Sequence, residues 1–102
     1  MKLIVVTCIK EHCPIVTNIL GQAQISIFSK TDTTGHKDGQ PINLSDNWFG
    51  KADEQCDSSV FFSFIDDAKA AIAMSLVNNQ NTDMRSEFPI HAFILPVESS
   101  SI

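Results

Sequence analysis

Three segments of this chain place apolar residues on both of the faces that a β-strand presents. Successive side chains of a strand point to opposite sides. In the first segment Leu3, Val5 and Thr7 oppose Ile4, Val6 and Cys8; in the second Phe61 opposes Val60, Phe62 and Phe64; in the third Ile90, Ala92 and Ile94 oppose His91, Phe93 and Leu95. A sheet made from such strands needs cover on both sides. A chain of 102 residues is one domain of ordinary size, and outside its strands it has two helical patterns, enough to cover one face. The other face is expected to be buried against further copies of the same chain.

The elements are read from periodicity. Leu3 to Cys8 is apolar and β-branched, a buried strand. Glu11 to Gln22 follows as a helix, with Pro14 in its first turn, Ile15, Val16, Ile19 and Leu20 at helical spacing, and Gly21 ending the pattern. Gln24 to Thr33 alternates as a second strand. Thr34 to Asp57 holds Gly35, Gly39, Pro41 and Gly50 and reads as a long loop. Ser58 to Ile65 is a third strand; Asp66 and Asp67 then signal the cap of a helix over Ala68 to Asn78, whose buried face is Ile72, Ala73, Leu76 and Val77. Gln80 to Glu87 reads as a polar connection, Phe88 to Val97 as the last strand, and residues 98–102 as a frayed, serine-rich tail. The order βαββαβ predicts an α+β, ferredoxin-like sandwich: residues 1–102 as one domain, a four-stranded antiparallel sheet with both helices on one face.

Charge and cysteine content narrow the function classes. Seven Lys and Arg stand against twelve Asp and Glu, a formal charge of -5, which argues against nucleic acid or an anionic membrane as partner. The apolar runs are far shorter than the roughly 20 residues that span a bilayer, so no direct membrane insertion is expected. Three cysteines, an odd number, with no secretory cleavage pattern after Met1 point to reduced thiols and a cytoplasmic location.

Several stretches then resemble a known family. The opening Lys2-Leu3-Ile4-Val5-Val6-Thr7, the stretch Thr34-Gly35-His36-Lys37-Asp38-Gly39 and the long loop 34–57 between strands two and three are similar to the PII signal-transduction superfamily. Asn47-Trp48-Phe49-Gly50 and Phe61-Phe62-Ser63-Phe64 resemble its divergent PII-like members. The resemblance spans residues 2–97 as an order of elements. It implies a homotrimer with its sheets packed inward around a threefold axis. It also implies a regulator without catalysis: a small effector, often an adenine nucleotide, sits in clefts between subunits and resets the loop, which docks on a partner such as a membrane transporter. On this basis Gly35, His36, Lys37, Trp48 and Phe49 form the candidate effector and partner loop, and Ser29 and Arg85 are candidate cleft residues. The sequence departs from the family's best-known members in two ways. It has no tyrosine to accept a nucleotidyl group, and the connection from Gln80 to Glu87 holds Arg85 as its single cation. Phosphate contacts would then draw on Lys37, Lys51 and Arg85 combined across subunits.

A second reading is a metal-binding or metal-delivery protein of the same fold. Cys8, His12, Cys13, His36, Cys56 and His91 are the soft donors, the types that zinc and copper(I) prefer. Cys8 and Cys13 flank the first strand-to-helix turn and, with His36, are the candidate ligand set for a divalent or cuprous ion. Four residues separate the two cysteines, where small copper chaperones of this fold have two, so Cys8 also reads as an inert core thiol. His91, inside the last strand, reads as a hydrogen-bonded interface residue. The chain is expected not to be an enzyme: no nucleophile elbow or glycine-rich phosphate loop is present, and Asp66-Asp67 is explained by helix capping.

Overall fold

A computed structural model describes residues 1–36 and 55–102. Among these residues six elements follow one another: β1 (Lys2–Ile9), α1 (Cys13–Gln22), β2 (Ser29–His36), β3 (Gln55–Ile65), α2 (Asp67–Met84) and β4 (His91–Pro96), with a 3-10 turn at Lys10–His12 between β1 and α1. The four strands form one antiparallel sheet in the order β2-β3-β1-β4. This is the expected ferredoxin-like arrangement, with the first and third strands in the middle.

The core lies between the sheet and the helices. Ile4, Val6 and Cys8 of β1 and Phe61 and Ile65 of β3 meet Val16, Ile19 and Leu20 of α1 and Ala70, Ala73 and Val77 of α2. Phe61 is 1% exposed, and its ring centroid lies 5.8 Å from that of Phe28. On α2 the buried set differs from the expected one. Residues 70, 73 and 77 are spaced for one helix face, while Ile72 is turned aside and remains 49% exposed.

Several boundaries moved, each for a local reason. The first helix begins at Cys13 rather than Glu11 because Lys10–His12 close a tighter turn before it. It runs through Gly21, and its stop comes three residues later. Gln24 takes the left-handed conformation (φ 62), its N–H donates to the Gly21 carbonyl (3.0 Å), and Ile25 N–H donates to the Leu20 carbonyl (2.9 Å). This is a Schellman closure with Leu20 and Ile25 as its buried hydrophobic pair. Ile25 therefore belongs to the helix cap, and the second strand starts at Ser29, five residues later than expected. The strands also extend to His36 and back to Gln55, so the loop is shorter at both ends than 34–57.

The second helix starts where the sequence indicated, with Lys69 N–H donating to the Asp66 carboxylate (2.8 Å). It continues to Met84, six residues past Asn78, and so absorbs most of the expected polar connection. Arg85, left-handed at φ 49, closes it. The last strand begins at His91 rather than Phe88, because Asn81 occupies the backbone just ahead of it. Ile90 N–H donates to Asn81 Oδ1, and Asn81 Nδ2 donates to the Ile90 carbonyl, both at 2.8 Å.

Candidate functional site at the open sheet face and loop base

The antiparallel register sorts the side chains turned away from the helices into rows. Leu3, Phe64 and Leu95 make the first; Val5, Phe62, Phe93 and Ser29 the second; Thr7, Val60, His91 and Thr31 the third; Ile9, Ser58 and Thr33 the last. The face is therefore apolar at the end where α2 starts and grows polar toward the loop. Its aromatic part is open: Phe62 and Phe93 are each 37% exposed, Leu95 44% and Phe64 56%. A hollow of about 620 Å³ runs along the β4 edge beside Leu3, Val5, Phe93 and Leu95. A second, of about 460 Å³, lies at the opposite end of the sheet from the loop, between Ile27, Phe64 and Lys69.

The loop springs from the end of β2 and returns at the start of β3, where Thr34, Gly35 and His36 pair with Asp57, Cys56 and Gln55. On the helix side of the sheet lies a polar cluster. Ser59 Oγ donates to Asp32 Oδ1 (3.0 Å), and Lys30 Nζ and Lys10 Nζ lie 3.8 and 3.9 Å from the same carboxylate. The Ser59 hydroxyl first, and the two ammonium groups after it, hold the Asp32 carboxyl below its ordinary value. Two cations thus flank Asp32 in the middle of β2.

No family model and no curated protein sequence matches the chain. Solved structures do. CPII, a nitrogen regulatory PII-like protein from Thiomonas intermedia bound to ADP, AMP and bicarbonate, covers 99% of this chain and 93% of its own, with a TM-score of 0.62 at 8% identity. A PII-like signalling protein from Thermus thermophilus covers 91% of this chain and 82% of its own, with a TM-score of 0.55 at 8% identity. The chain has the PII-like fold.

Within the PII-like fold the candidate residues separate. Gly35 and His36 contribute their backbone to the loop base; Lys37, Trp48 and Phe49 lie outside the described residues, as does the side chain of His36. Ser29 is exposed on the outer strand β2, and Arg85 is exposed at the C-terminal end of α2, the helix that leads into the opposite edge strand β4. Lys10, Lys30, Asp32 and Ser59 were missed. Alternation already puts Lys30 and Asp32 on one face of the expected strand Gln24–Thr33; what local pattern does not carry is that Ser59 of β3 and Lys10 of the 3-10 turn come up beside them.

Cys8 and Cys13, with four residues between them, pack at the same core cluster, near enough for their side chains to influence one another. Burial first, then the neighbouring Cys13 thiol, pushes the Cys8 thiol up to about 12, against the pull of Lys30. Among the described residues no third His, Cys, Asp or Glu joins them in a group able to hold a metal ion. His91 differs from expectation: its Nε2 is buried and has no hydrogen-bond partner among the described residues, and burial holds its pKa below the usual 6.5.

Proposed function

We propose that this chain is a PII-like regulatory protein without catalytic activity, assembled as a homotrimer through the open sheet face. A small effector binds in the clefts between subunits, and the loop joining β2 to β3 carries the response to a partner protein. The observation that supports this most is the band of Phe62, Phe64, Phe93 and Leu95 left exposed on the face that the helices do not cover. A patch of this kind is an assembly surface in a soluble domain, and inward-facing sheets around a threefold axis are how PII proteins use it.

An adenine nucleotide is the effector class we favour, because CPII of the same fold is bound to ADP and AMP. Trimerisation would set the β2 edge of one subunit, with Ser29, Lys30 and Lys10, against the β4 edge of the next, with Arg85 nearby. That arrangement gathers the cations a phosphate requires. The partner is a regulated protein of the kind PII-like proteins control, a membrane transporter among them, and the working compartment is the cytoplasm. Among the described residues no helix is long and apolar enough to cross a membrane.

Titration calorimetry with ADP, AMP and ATP, paired with hydrogen exchange over residues 34–57, tests this reading. Binding that slows exchange in the loop is expected. Adenine nucleotides that neither release heat nor alter exchange would overturn the choice of effector.

A further inference from the structure

The proximity of Cys8 and Cys13 has no part in the proposed regulation. Cys8 ends the helix-facing row of β1 and is 1% exposed, inside the core cluster. Cys13 opens α1, half-buried and packed against that cluster. The 3-10 turn Lys10–His12 folds the chain back between them. Cys13 is partly open to solvent, Cys8 is shielded in the core, and a three-residue turn returns the chain so that both pack at the same cluster, with their side chains near enough to influence one another. That geometry suits a pair in which the outer sulfur is modified first and the inner one resolves it.

We propose that Cys8 and Cys13 form a reversible dithiol–disulfide site, oxidised by a low-molecular-weight disulfide. The Cys13 thiolate attacks one sulfur of the oxidant RSSR, the oxidant's S–S bond breaks, and RS⁻ leaves, giving a mixed disulfide on Cys13. The Cys8 thiol then passes its proton to solvent, and its sulfur attacks Cys13 Sγ. The mixed disulfide breaks and the second RS⁻ departs. Both leaving thiolates take up protons, so two protein thiols lose two electrons and two protons in total, and the oxidant becomes two RSH. Burial keeps Cys8 protonated at rest. Of the influences that raise its pKa, however, the charge and hydrogen bond of Cys13 vanish once Cys13 is capped, while Lys30 continues to favour the thiolate. The bridge would close beside Ser59, the ladder partner of Cys8, which holds Asp32 in the middle of β2.

The chain offers a convenient readout, because Lys10 lies between the two cysteines. Trypsin separates residues 3–10 from residues 11–30, and only a bridge keeps the two peptides joined. Native protein carrying Cys56→Ser, incubated with oxidised glutathione at pH 8, then alkylated, digested and weighed, should yield the joined peptides two hydrogens lighter than their sum. Dithiothreitol should separate them. Adding Cys8→Ala should halt the reaction at a glutathione adduct on Cys13, with the helical circular dichroism unchanged. A glutathione adduct that persists on Cys13 while Cys8 is intact, or native protein in which neither thiol reacts although both alkylate in urea, would overturn the proposal.

Discussion

Two adjacent phenylalanines on β3 show how completely a strand's alternation divides structural roles. Phe61 points into the core at 1% exposure and Phe62 points the other way at 37%. Phe61→Ala should cost about 3–5 kcal/mol of unfolding free energy, the usual range for a buried aromatic, read from urea denaturation. Phe62→Ala should leave the fold intact and weaken assembly instead. At about 25 cal/mol per Å², covering roughly 80 Å² of such a ring is worth about 2 kcal/mol, visible as a dissociation midpoint shifted to higher protein concentration. His91 is the residue whose titration should matter. Burial holds its pKa below 6.5, so the unfolded chain takes up this proton before the folded one does, and stability falls as pH drops through 6.5. The urea midpoint should decline between pH 7.5 and 5.5, and His91→Gln should flatten that decline. An equal decline in both proteins would mean that His91 is not its source.

At the scale of elements, the closures decide where helices and strands stop. Gly21 lies within α1, and a Cβ built there meets nothing within 4 Å. Gly21→Ala should therefore stabilise the protein by about 0.4–1 kcal/mol through the unfolded chain, seen as a rise in melting temperature. Asn81→Ala should do the opposite. It strips both hydrogen bonds from the Ile90 backbone, and Ile90 is 2% exposed, so the loss should be about 2 kcal/mol in the same denaturation assay. These two sites also show which elements were legible beforehand. The order of strands and helices was, because apolar spacing is written into each segment, and the Asp66 cap was visible as an acid ahead of a helical pattern. The start of β2 was not: Ile25 satisfies strand alternation and a helix cap equally well, and only the left-handed Gln24, a residue type that rarely takes that conformation, settles it. The start of β4 was hidden for a related reason, since Asn81 reaches Ile90 across nine residues and local pattern carries no trace of such a contact.

For the whole molecule, the sheet's two apolar faces were readable from the first strand onward, and one of them is left without helices. The candidate site was less legible. The cluster of Lys10, Lys30, Asp32 and Ser59 depends on three separate elements meeting, and the proximity of Cys8 and Cys13 depends on a turn that helical spacing had absorbed into α1. Ser29 lies on the edge strand β2 and Arg85 at the end of the helix that leads into the other edge strand, and the proposed cleft draws them from neighbouring subunits. Assembly is thus the claim on which the functional reading rests. Its most direct test is light scattering coupled to size exclusion, with the unaltered chain beside Phe93→Glu. The account predicts three times the mass of one chain for the former and a folded single chain for the latter. A folded single chain for both proteins, at every concentration loaded, would contradict it.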